Sequence, residues 1–109
     1  MDKTETVRKL FANYLANRKD LTDPLLTDDF TFSSPRDDHI DKAIYFERCW
    51  PQPPVFSHIV VERLFVSGDE VVVGYKGEKV AGGAFRNLEL MTFRGDQIAS
   101  IEVYFGRDV

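Results

Sequence analysis

The feature that most restricts the fold of this chain is a change of hydrophobic period near Val55. Before it, apolar residues recur at helical spacing. After it, they alternate or run in β-branched and aromatic blocks. In residues 4–18, Val7, Leu10, Phe11, Tyr14 and Leu15 share one helical face. Beyond Val55, the turn signals Ser67-Gly68-Asp69-Glu70 and Arg94-Gly95-Asp96-Gln97 divide the chain into strands expected over 55–66, 71–79, 85–94 and 98–105. Ala81-Gly82-Gly83 reads as a flexible or bulged connection. Strands joined by tight turns pair antiparallel. Helices followed by a run of strands define an α+β fold. With 109 residues and no repeat or linker, one domain spanning 1–109 is expected.

Local chemistry supplies the boundaries. Asp2 and Glu5 fit a capping box at the start of the first helix. Asp20 and Pro24 mark a break, and Leu21, Leu25 and Leu26 suggest a short second helix. Asp28-Asp29 reads as a turn. Phe30, Phe32 and Ser34 then share one face of a strand that Pro35 ends. Asp37, Asp38 and Asp41 crowd the following loop. Asp41 is placed to cap a helix from Lys42 to about Cys49, with Ile40, Ile44 and Tyr45 on or near one face. Pro51, Pro53 and Pro54 stop that helix and force an extended link.

Composition narrows the partners. The net charge is −4, and no basic cluster stands out along the chain, which argues against nucleic acid. The single cysteine, Cys49, has no internal disulfide partner, the first residues are charged, and no stretch is apolar enough to span a membrane. A soluble, cytoplasmic domain is the expectation. The closing strands are apolar on both sides. Ala99, Ile101, Val103 and Phe105 form one row, Ile98 and Tyr104 lie on the other, and Leu88 and Leu90 fall opposite the Phe85–Phe93 row. Spare apolar surface of this kind predicts a homodimer through the outer sheet face, the alternative being a moderately apolar exposed face.

Glu89 is the most informative single residue. On a strand it shares a face with Phe85, Asn87, Met91 and Phe93, one carboxylate among large apolar side chains. Facing the helices, it would be poorly solvated and held protonated, able to donate a hydrogen bond from the floor of a pocket. The alternatives are pairing with an arginine such as Arg48, or a place at an open rim. Tyr14 is placed to aim its hydroxyl into the same space or to end at the edge of the core. Ser34 points with Phe30 and Phe32, but no His–carboxylate pair can be assigned to activate it. Asp37-Asp38-His39-Ile40-Asp41 matches neither a transition-metal nor a calcium pattern. Turn and cap chemistry explains it, with Asp38 or His39 at a pocket mouth as the functional alternative. His58 reads as structural or exposed, and Trp50 as core, pocket wall or lid. No phosphate loop, CxxC or dinucleotide fingerprint is present, so neither metal nor cofactor is expected.

The order of elements, with Asp20-Leu21 after the opening helix, the string Leu25 to Pro35, the helix through Tyr45-Phe46 and the closing Phe93 to Gly106, resembles the SnoaL-like, ketosteroid isomerase-like branch of the nuclear transport factor 2 (NTF2-like) superfamily over nearly the whole chain. The resemblance implies a cone-shaped α+β barrel, three helices over a strongly bent sheet, with a pocket inside the cone and dimerisation through the outer sheet face. In the isomerases of that branch an Asp base works with an oxyanion hole of Tyr and protonated Asp. The base position falls here on Ser34, which is not basic near neutrality. The protonated-acid position falls on Glu89, and the tyrosine position falls near Ala12 rather than on Tyr14. Asp38 is then the nearest substitute base.

Three functions compete. The first is cofactor-free proton transfer or cyclisation on a small carbonyl compound by Glu89 with Asp38 or His39. The second is non-catalytic binding of a small apolar molecule lined by Phe30, Phe32, Met91, Val103 and Phe105, with Tyr14, Ser34, Tyr45, Trp50 and Asn87 around it. The third is a dimeric interaction domain with a filled core.

Overall fold

The computed structural model describes residues 2–51 and 53–109. Helix α1 (Lys3–Leu15) opens the chain, capped as expected: Asp2 Oδ1 accepts from the Glu5 N–H at 2.8 Å. Its buried face carries Val7, Leu10 and Phe11 and packs on the sheet. The helix ends where Asn17 takes a left-handed conformation, φ 53°, which asparagine tolerates better than most non-glycine residues. Helix α2 (Lys19–Thr22) is a single turn followed by a 3-10 turn over Asp23–Leu25.

Strand β1 (Leu26–Ser34) pairs with the short edge strand β2 (Asp37–Asp41), and α3 (Lys42–Cys49) follows directly. Asp41 Oδ1 caps α3 by accepting from the Ile44 N–H at 2.9 Å. Tyr45, on the buried face of α3, packs against Phe30 and Phe32 of β1 at ring distances of 5.1 and 4.9 Å. The remaining strands are β3 (Phe56–Ser67), β4 (Glu70–Lys79), β5 (Ala84–Arg94) and β6 (Gln97–Asp108). The sheet order is β2-β1-β6-β5-β4-β3. Strands β3 to β6 are antiparallel neighbours, as their tight turns require, whereas β1 joins β6 in parallel, Phe32 opposite Ile101. Register shifts interrupt every pairing except β4–β5, and such bulges bend a sheet into the curved wall seen here. No helix among the described residues is long and apolar enough to cross a membrane.

Four local expectations are corrected. Leu26 begins β1 instead of extending a helix, because Pro24 and the 3-10 turn complete the reversal upstream. Asp28-Asp29 therefore lies inside β1, where the Asp29 carboxylate accepts two hydrogen bonds from Arg94 at 2.9 and 3.1 Å. Asp37–Asp41 is an edge strand rather than a loop. Aspartate is a poor strand former, but charge on an edge is tolerated and discourages further pairing. Finally, an extra residue at Ala99 shifts the β5–β6 register, so that Phe93 faces Ile98 and Thr92 faces Ser100. That bulge returns Ile98 to the inner face, fully buried with Ile101 and Val103, instead of leaving it outside with Tyr104.

Candidate functional site

Along the inner face, the core and the cavity divide by depth. Val71, Val73, Met91, Phe93, Ile98 and Ile101 pack solidly at one end of their strands. At the other end the sheet opens into a cavity of about 840 Å³. It is reached by the last inward residues of β1 (Phe32, Ser34), the first of β5 (Phe85, Asn87, Glu89) and the last of β4 (Tyr75, Lys79) and β6 (Val103, Phe105). From the helices come Leu10, Phe11 and Tyr14 of α1 and Tyr45, Arg48 and Cys49 of α3.

Glu89 sits mid-strand on β5, opposite Val73 of β4 and Val103 of β6, and is 8% exposed. Removal of the carboxylate from water pushes its pKa from 4.5 up to about 7, although the Tyr75 hydrogen bond pulls the other way. Arg48, the arginine considered as its partner from the sequence, instead lies 2.8 Å from Asp37. No basic side chain among the described residues forms an ion pair with Glu89.

The carboxyl is held by a directed chain of hydrogen bonds. The Gly106 N–H donates to Asn87 Oδ1 at 3.1 Å, which fixes the amide so that Nδ2 donates to the Tyr75 hydroxyl oxygen at 3.3 Å. The single hydroxyl proton of Tyr75 then goes to Glu89 Oε2 at 2.7 Å. Oε2 is thereby an acceptor, and the proton of a neutral Glu89 belongs on Oε1. Gly106 makes this approach possible, since a Cβ there would fall 2.1 Å from the Arg86 carbonyl oxygen. Burial, with the charge of Glu89 second, raises the Tyr75 pKa, so its proton stays in place near neutrality. Tyr14 is pushed up to about 12, mainly by burial, and Cys49 to about 11 by burial and then the Asp37 charge.

The residues singled out in the sequence separate into two sets. Tyr14, Phe32, Ser34, Tyr45, Asn87, Glu89, Val103 and Phe105 line the cavity. Tyr14 meets Trp50 edge-on at 5.2 Å, while Ala12 is exposed, so α1 turns its tyrosine and not its alanine toward the interior. Phe30, Trp50 and Met91 do not line it. They are 1%, 2% and 0% exposed and belong to the packed core behind it. Asp38 and His39 also lie outside it. They are exposed on the edge strand and contact each other. β2 turns Asp37 inward instead, its side chain only 8% exposed. Ser34 accepts from the Arg36 N–H at 3.1 Å and so serves the β1–β2 turn. Tyr75, Asp37, Arg36, Lys79 and Arg107 were not anticipated. For Tyr75 a signal existed, since its strand position pairs with Asn87. No group of three or more His, Cys, Asp or Glu among the described residues could hold a metal ion.

Helices packed on a bent six-stranded sheet of this order are the architecture of the NTF2-like and ketosteroid isomerase-like proteins, and this chain has that fold. No protein-family model and no curated protein matches the sequence. Among solved structures, an NTF2-like protein of unknown function from Cytophaga hutchinsonii superposes with a TM-score of 0.78 at 19% identity, over 96% of this chain and 90% of that one. A hypothetical protein with a ketosteroid isomerase-like fold from Catenulispora acidiphila, in complex with trimethylamine, gives 0.73 at 19% identity, over 94% and 85%. A de novo designed protein with a curved β-sheet gives 0.72 at 17% identity, over 96% and 88%. At such identities the likeness is one of fold, and the function must be argued from the site.

Proposed function

We propose that this domain binds a small, largely apolar molecule in the cone and that Glu89 donates a hydrogen bond from Oε1 to an oxygen of that molecule. The observation that carries the reading is the directed chain from Gly106 to Glu89. It commits Oε2 to Tyr75 and leaves the other oxygen for the cavity. A carboxyl whose pKa is about 7 is substantially protonated at neutral pH, which a surface glutamate is not. Aromatic walls supply the apolar contact. A second reading, cofactor-free proton transfer of the isomerase or cyclase type, is favoured by Asp37, which brings a second carboxylate to the same cavity. In that reading Asp37 takes a proton beside a carbonyl while Glu89 stabilises the developing oxyanion. The same domain pairs with a second copy through the outer sheet face, where Phe65, Leu88 and Tyr104 are about half exposed or more.

Titration with 2-acetonaphthone, followed by the NMR signals of the Asn87 side-chain amide and the Gly106 amide, tests the binding. Saturable shifts that weaken as pH rises above 7, and in Glu89→Gln lose that pH dependence, are expected. If no cavity signal moves, the binding reading fails. Deuterium exchange at the ketone methyl, abolished in Asp37→Asn, distinguishes turnover from binding alone, and sedimentation of the free protein tests the dimer.

A further inference from the structure

We infer that the ligand of this cavity is an apolar acid, its ring system against Phe32, Tyr45 and Val103 and its carboxylate at a mouth formed by Arg36, Lys79 and Arg107. The inference rests on the reading of the cavity as a ligand site and adds the chemical class of the ligand. Four cations line the cavity, these three and Arg48, against the acids Asp37, Glu89 and Asp108. Arg48 is occupied by Asp37 at 2.8 Å. None of the other three forms an ion pair among the described residues. Two of them are instead laid over aromatic rings of the cavity wall, Arg36 over Phe105 at 5.6 Å and Lys79 over Phe85 at 5.2 Å.

This excess does not follow from composition. The whole chain has 14 Lys and Arg against 18 Asp and Glu, so it is acidic, yet the cavity carries more cations than anions even with Glu89 ionised. Positive charge gathered at the entrance of a low-dielectric cleft draws in anions and disfavours cations. A neutral apolar ligand would gain nothing from it. A carboxylate at the mouth would receive charge-assisted hydrogen bonds while the remainder of the molecule is desolvated by the aromatic wall. At the floor, a neutral Glu89 adds no repulsion toward such an anion.

The test is a pair of probes of one shape and different charge: 2-naphthoate and 2-naphthamide, titrated at pH 6.5 and read from the Asn87 and Gly106 amide signals. Naphthoate is expected to bind roughly ten-fold more tightly, each partly exposed cation contributing about a two- to five-fold factor. In Arg36→Gln/Lys79→Gln/Arg107→Gln the preference should fall to near one, with naphthamide affinity retained. Because Arg36 and Arg107 are exposed and Lys79 is only half-buried, circular dichroism should show an unchanged fold. In the unaltered protein, raising the salt from about 20 to about 500 mM should narrow the same ratio without touching naphthamide. A wild-type ratio of one or less, or a preference that survives the triple substitution, overturns the inference and leaves the ligand-site reading standing. If neither probe moves the cavity signals, both fall.

Discussion

Glu89→Gln should make this protein more stable, and only at the upper end of the pH range. Glutamine keeps an oxygen for the Tyr75 hydroxyl and removes the charge. In the native fold the carboxyl titrates at about 7, and in the unfolded chain at the ordinary 4.5. Below about pH 4.5 the group is protonated in both states and costs nothing. Between the two values the unfolded chain ionises while the native one holds its proton, so stability falls as pH rises. Above about 7 both are ionised and the loss is complete. At about 1.4 kcal/mol per unit, the buried carboxylate costs the wild type about 3 kcal/mol at pH 8. That is a large share of the stability of a domain this size. Urea unfolding of both proteins, stepped from pH 4.5 to 8.5, isolates the effect, because every other titrating group cancels in the difference. The gap between variant and wild type should widen by about 3 kcal/mol across that interval, equivalent to roughly 10 °C or more in Tm. A gap that stays flat would refute the desolvated carboxyl and with it the hydrogen-bond donor at the floor of the cavity.

Three further outcomes follow from the same geometry. In Tyr75→Phe the hydrogen bond that holds the Glu89 pKa down is gone, so the carboxyl should titrate higher still by carbon NMR, and the orphaned Asn87 amide should cost about 1–3 kcal/mol in urea unfolding. Gly106→Ala forces the backbone of β6 away from Arg86 and should cost about 3 kcal/mol, with loss of the Asn87 side-chain amide shift that reports the chain of hydrogen bonds. Asp41→Ala removes the cap of α3 and should cost about 1 kcal/mol by thermal unfolding, without moving the Glu89 titration.

The parts of the fold that local rules govern were legible in the sequence. Asp2 and Asp41 cap the helices they precede, because a carboxylate one residue before a helix finds the free N–H groups of its first turn. The glycine turns set the antiparallel order of β3 to β6. The misreadings came where a distant strand overrides a local preference. Asp28-Asp29 and Asp37-Asp38 look like turns to any propensity scale. Asp28-Asp29 is carried in extended form between the β6 pairings of Leu26 with Ile98 and Thr31 with Ser100, and Asp37 opens β2 because it pairs with Ser34 of β1. The bulge at Ala99 has no glycine to announce it, and it alone decides that Ile98 is core.

For the cavity, alternation along a strand reveals which face a residue occupies but not how far along the cone it lies. Phe30 and Phe32 share a face, as do Met91 and Glu89, yet in each pair one is core and the other lines the cavity. Depth is set by how closely α1 and α3 pack on each stretch of the sheet, which is a tertiary fact. The basic mouth was illegible for a related reason. Arg36, Arg48, Lys79 and Arg107 come from a turn, a helix and the ends of two strands, and no window along the sequence contains two of them close together. A linear scan therefore sees an acidic protein without a basic cluster, while the fold brings four of its 14 Lys and Arg to one cavity. The buried acid was legible because it stands alone in an apolar row. The cationic lining exists only once β1, β4 and β6 have been brought together with α3.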